Sequence, residues 1–100
     1  MFSWLDMIGT YEERNIANFK SDNFEVDTSL VIDRPIPYET AIKHKDFRDN
    51  NWIVLGWRDT PEEAEKFHNE VVAFYEAKDK EIGEITDVYE NCTFKRQEVE

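Results

Sequence analysis

A chain of 100 residues has room for one core, since domains typically run to about 100–150 residues, and a two-domain organisation is excluded. Hydrophobic residues make up 40%, charged residues 35% and aromatic residues 14%, a balance that allows a packed globule and argues against wholesale disorder. With 3 Gly, 3 Pro, one Cys and no run of about 20 apolar residues, collagen-like, membrane-spanning and disulfide-stapled architectures drop out.

The 23 acidic and 12 basic residues leave a formal charge of −11, which opposes long contact with a nucleic-acid backbone or an anionic membrane. Basic residues are scattered, as at Lys43, Lys45, Arg48, Arg58, Lys66, Lys78 and Lys80, and form no cluster of the kind that grips phosphate. The expected partner is therefore a protein, with no direct nucleic acid and no membrane. Cys92 has no second cysteine to pair with, so the expected compartment is a reducing cytoplasm. The first nine residues lack a positive leader, and Asp6 interrupts their apolar run, so they do not read as a signal peptide.

Leu5 and Ile8 follow helical spacing and Gly9 can end a turn, which predicts a short helix over 2–8 that lids the core. Tyr11 to Phe19 alternates imperfectly and predicts an edge strand, closed by the turn Ser21-Asp22-Asn23. Phe24, Val26, Thr28, Leu30 and Ile32 then share one face against Glu25, Asp27, Ser29, Val31 and Asp33, the period of a half-buried strand. Pro35 and Pro37 lack ladder donors and make the next stretch a connection. Tyr38 to His44 and Trp52 to Trp57 read as a second hairpin, the latter apolar on both faces and so expected to be an interior strand.

Thr60-Pro61-Glu62-Glu63 is a helix start, with Thr60 at the N-cap, Pro61 at the first helical position and Glu63 at the capping-box position. The helix should run to about Lys80, burying Ala64, Phe67, His68, Val71, Phe74 and Tyr75. After Gly83, the spacing of Ile85, Val88, Tyr89, Cys92 and Phe94 suits strand and helix alike. The expected fold class is α+β: an antiparallel sheet of about four strands with one main helix, about 60–80, on one face. It occupies a single domain over 1–94, with a fraying tail over 95–100.

His44 and His68 stand 24 positions apart, and no HExxH or CxxC spacing is present, so a metal-dependent site built on the two histidines ranks behind a core role for His68 and an exposed position for His44. Cys92 lies near Asp87 and Glu90, a setting that disfavours an activated thiolate and favours a buried or inert thiol. No phosphate loop, nucleophile elbow or cofactor motif occurs, and the reading is a non-enzyme without cofactor. Candidate partner-binding residues are Trp57, Glu62, Glu65, Asp79, Glu81 and Glu84; if the five carboxylates align, they would imitate a phosphate backbone and inhibit a DNA- or RNA-binding protein.

Residues Phe2, Trp4-Leu5, Ile8-Gly9-x-Tyr11-Glu12-Glu13-Arg14, Asp27-Thr28, Tyr38-Glu39-Thr40-Ala41-Ile42-x-His44, Trp52-Ile53-Val54 and Asp59-Thr60-x-Glu62-Glu63-Ala64-x-x-x-His68 form a pattern that resembles short proteins encoded by tailed phages and prophages. The resemblance spans residues 1–75. This chain departs from the pattern at Asn50-Asn51, where Asn-Gly is expected, and at Val71, where a Trp is expected. The resemblance implies a small accessory product acting inside a bacterium, and neither of its most specific parts, Tyr38-Glu39-Thr40-Ala41-Ile42-x-His44 and Ala64-x-x-x-His68, is a catalytic signature.

Overall fold

The computed structural model describes residues 15–31 and 35–97. The expected helix over 2–8, the first residues of the expected edge strand and Ile32 lie outside the described residues. The expected α+β architecture is present. Strands β1 (Asn15–Lys20), β2 (Phe24–Leu30), β3 (Tyr38–His44) and β4 (Trp52–Arg58) form an antiparallel sheet in chain order. Helix α1 (Pro61–Lys78) crosses one face, a 3-10 turn follows at Asp79–Glu81, and β5 (Glu84–Asp87) pairs with β6 (Cys92–Lys95).

The alternation in β2 and β3 does what its period requires. Phe24, Val26 and Thr28 from β2 and Thr40, Ile42 and His44 from β3 are all buried beneath the helix. Helix α1 begins where the capping pattern places it: the Glu63 backbone N–H donates to Thr60 Oγ1 at 3.1 Å, and the Thr60 hydroxyl donates to Glu63 Oε1 at 3.3 Å. Such a cap contributes about 1 kcal/mol. Ala64, His68, Val71 and Tyr75 are buried and Phe67 partly so. Phe74, expected in the stripe, is 50% exposed, because the buried row steps 64–68–71–75 and leaves position 74 about 100° off that line. The core is closed at one end by Ile85 and by Phe47, a fully buried ring inside the polar stretch that follows β3.

Strand β4, expected in the interior, is an edge of the sheet. Its two apolar faces arise from a bulge: Ala41 pairs with Val54 but Thr40 with Gly56, so Leu55 is the extra residue and the alternation slips. Gly56 faces inward under Phe67, where a Cβ would sit 3.1 Å from Phe67 Cε2, closer than ordinary van der Waals contact, so any larger residue would require the ring to shift. The free edge of β4 is covered by parts of other elements. Val54 N–H donates to Asp87 Oδ2 at 3.1 Å, Val88 N–H donates to the Val54 carbonyl at 2.9 Å, and Arg48 Nη1 donates to the Trp52 carbonyl at 3.2 Å.

The tail expected to fray from residue 95 is tied down as far as Gln97. Lys95 pairs with Glu84, Arg96 donates through its side chain to the Ile82 carbonyl at 3.0 Å and to Asp46 at 2.7 Å, and Gln97 N–H donates to the Asp46 carbonyl at 2.7 Å. The guanidinium also lies over the Phe47 ring, 5.0 Å from its centroid. Polar groups over 95–97 thus have specific partners in the fold.

Between β3 and β4 the backbone makes one left-handed turn. Arg48, Asp49 and Asn50 have φ of 49°, 54° and 63°, a region that costs an L-residue about 1–2 kcal/mol. Side chains hold it there: Asp49 N–H donates to Gln97 Oε1 and Gln97 Nε2 to Asp49 Oδ1, both at 2.7 Å, and Asn51 Nδ2 donates to the Arg48 carbonyl at 2.9 Å.

Candidate functional site

Both histidines are structural. His44, expected at the surface, is fully buried, since its position continues the inward alternation of Thr40 and Ile42. Asp46 N–H donates to its Nδ1 at 3.0 Å, which leaves the ring proton on Nε2 to donate to Asp79 Oδ1 at 2.6 Å. Asn23 Nδ2 donates to the other Asp79 oxygen at 3.1 Å, and Arg96 lies 3.7 Å from Oδ1. Burial works to raise the Asp79 carboxyl, but the hydrogen bonds from His44 and Asn23 and the charge of Arg96 outweigh it and hold the group below the ordinary carboxylate range. Burial, reinforced by Asp79, pushes the neighbouring Tyr75 phenol up to about 12.

His68 has the core role expected of it, though its partner is a hydroxyl: Nδ1 lies 2.9 Å from Thr28 Oγ1, which lies 2.7 Å from Thr40 Oγ1. Burial lowers its pKa against the opposing pull of Asp27 and Glu65. Among the described residues no group of three or more His, Cys, Asp or Glu side chains is arranged to hold a metal ion. Both nitrogens of His44 and Nδ1 of His68 already have partners within the fold. Of the two alternatives for Cys92, a buried or an inert thiol, the buried one does not hold: it is exposed, because it pairs with Asp87 on the small hairpin, away from the main core.

The proposed acidic stripe is divided. Glu62 and Glu65 are exposed on α1, and Glu81 and Glu84 are exposed beyond it, but Asp79 between them turns inward to His44. Asp87, which sequence reasoning treated only as a neighbour of Cys92, is the more consequential carboxylate. It is 1% exposed and accepts from Val54 N, Arg48 Nη1 and Glu90 N at 3.1, 3.1 and 2.7 Å. Desolvation favours its neutral form, yet the backbone N–H groups of Glu90, Val54 and Tyr89 and the Arg48 charge prevail and lower its pKa. The signal for it was an Asp three residues before Glu90 in a turn, the spacing at which a carboxylate accepts a backbone N–H.

A different surface emerges on the face of the sheet opposite α1. Residues of odd number in β2 and β3 lie there, joined by Asn15 and Asn18 from β1 and by Trp52 and Val54 from β4, and together they line an open groove of about 810 Å³. Its carboxylates are Glu25, Asp27 and Glu39. Asn15 and Asn18 donate to Asp27 Oδ1 at 2.5 and 3.1 Å, Ser29 donates to Oδ2 at 2.6 Å, and Asn18 also reaches Glu25 at 2.9 Å. These amides fix the carboxylates in position without neutralising them. Trp52 is 40% exposed, with Lys43 Nζ 5.6 Å from the centre of its ring. Trp57, singled out from the sequence, pairs with Glu39 on this face, and its indole N–H donates to Glu39 Oε2 at 3.1 Å.

No family model, curated protein or solved structure matches this chain. No helix among the described residues is long and apolar enough to cross a membrane.

Proposed function

We propose that this chain is a small, non-enzymatic accessory protein of phage origin that acts in the bacterial cytoplasm, using the face of its sheet opposite α1 to engage a host protein bearing lysine and arginine side chains. One observation carries the reading: the open groove holds Glu25, Asp27 and Glu39 in fixed positions beside the exposed Trp52. Carboxylates on a rigid sheet lose little side-chain freedom on binding, and an adjacent indole accepts cations over its face. The overall charge of −11 adds attraction at a distance, raising the rate of encounter with a basic surface.

The test is capture from bacterial lysate with wild type, Trp52→Ala, Asp27→Asn and, as a control on the opposite side of the molecule, Glu65→Lys. The expected result is a stoichiometric partner that is lost with the two sheet-face variants, kept with the helix variant and released by salt. A partner lost only with Glu65→Lys, and displaced by DNA, would transfer the reading to nucleic-acid mimicry by the helix. Absence of any stoichiometric partner at low salt would refute a binding role.

A further inference from the structure

The lysines are few in this acidic chain, yet three of them, Lys20, Lys43 and Lys45, line one pocket of about 220 Å³ at the β1–β2 turn. Lys20 ends β1, Lys43 is the penultimate residue of β3, and Lys45 is anchored beside the turn by its backbone N–H, which donates to the Asn23 carbonyl at 3.1 Å. Among the described residues, none of the three has a carboxylate oxygen within 4.0 Å. The pocket also contains Asp22 and Glu25, and Asn50, whose carboxamide makes no hydrogen bond to another of the described residues.

Two further facts bear on this pocket. Asn50 reaches it from the third position of the left-handed turn, and that unfavourable backbone is held from outside: Arg48 is bound by Asp87, Glu90 and the Trp52 carbonyl, and Asp49 by Gln97. Strain maintained by so many partners is a feature of sites where a side chain must be aimed. Second, screening limits the reach of the overall negative charge to a Debye length of about 8 Å at physiological salt, so the groups lining the pocket decide its sign. Three ammonium groups against two carboxylates leave it positive, though Lys43 also lies by the Trp52 ring, and lysines act as point charges toward phosphate oxygens.

We propose that this pocket is an anion site that binds a phosphate group, either free or as the terminal ester of a small molecule, with Lys20, Lys43 and Lys45 supplying charge and Asn50 a directed hydrogen-bond donor. The site is distinct in ligand from the sheet-face reading, since its lysines take an anion whereas that groove takes cations, although Glu25 lines both and Lys43 also lies by the Trp52 ring.

The experiment is an NMR titration of amide shifts with inorganic phosphate, and separately with glycerol phosphate, at ionic strength held constant with sodium chloride. Saturating shifts are expected at residues 20–25, 43–45 and 50. Lys45→Gln and Lys20→Gln should each weaken binding about fivefold, as the loss of one exposed charge contact implies. Asn50→Gly, which relaxes the backbone, should weaken binding without lowering the melting temperature, and Lys66→Gln on α1 should leave it unchanged. The tighter of the two probes tells free phosphate from an ester. The proposal is overturned if no saturation occurs by about 50 mM, a limit beyond which an affinity has no specificity, if chloride alone reproduces the shifts, or if Lys66→Gln weakens binding as much as Lys45→Gln.

Discussion

Asp87→Ala should be among the most damaging single substitutions in this chain, although the residue is neither apolar nor part of the main sheet. The carboxylate accepts three hydrogen bonds, from Val54 N, Arg48 Nη1 and Glu90 N, at a site 1% exposed. Removing it strands the Val54 N–H at the edge of β4 and leaves the Arg48 guanidinium with Glu90 and the Trp52 carbonyl alone. Removing one member of a buried, hydrogen-bonded pair costs about 3–5 kcal/mol. For a domain of this size that is a fall in melting temperature of about 12–40 °C, at roughly 4–8 °C per kcal/mol. Asp87→Asn keeps the shape and one acceptor, and should cost about 2 kcal/mol as charge-assisted bonds become neutral ones. Urea unfolding followed by tryptophan fluorescence gives both values, and Arg48→Ala in the same background closes a double-mutant cycle. The uncovered edge should also add concentration-dependent association, measurable by light scattering, because a bare strand edge recruits another strand. A loss below about 1 kcal/mol for Asp87→Ala, the size of an ordinary exposed hydrogen bond, would refute the account of how β4 is capped.

Two further outcomes follow from the core. His68 has a lowered folded pKa, so the unfolded chain binds more protons between the two values and stability falls as pH drops from about 6.5 toward the folded value, with a slope no steeper than about 1.4 kcal/mol per pH unit; Asp79 and Asp87, with depressed pKa, add their losses only below about pH 4. Thermal melts at pH 7, 6 and 5 should therefore decline for wild type and stay flatter for His68→Gln, and a wild type equally stable at pH 5 and 7 would contradict the buried neutral imidazole. Gly56→Ala places a methyl against the Phe67 ring, which already lies under the Arg58 guanidinium at 3.8 Å, so it should destabilise by about 1–3 kcal/mol in chemical denaturation, and an unchanged midpoint would show that the ring has room to move.

Much of this fold was legible because its signals were local. The alternation of Phe24 to Leu30 and Tyr38 to His44 gives two sheet strands outright, and Thr60-Pro61-x-Glu63 fixes the helix start to the residue. The same alternation, followed one step past Ile42, already placed His44 inside. The edge position of β4 was not legible, since a bulge at Leu55 imitates the apolar pattern of a strand covered on both faces. The hairpin at the C-terminus was ambiguous because Ile85, Val88 and Cys92 fit two periods, and the structure resolves it through a turn in which Asn91 takes φ of 56°. The two grooves were illegible for a different reason. They are assembled from single residues on several strands, so Glu25 and Trp52, or Lys20 and Lys45, meet only through register, which no window along the chain contains.

Cys92 is the single sulfhydryl of the chain; it faces solvent and lines neither groove. Each molecule thus offers one attachment point for a maleimide dye or a spin label, outside the lining of both grooves. Handled in air without a reductant, the same atom couples two chains through the small hairpin, so a dimer seen on a non-reducing gel is chemistry of storage and not assembly by the sheet.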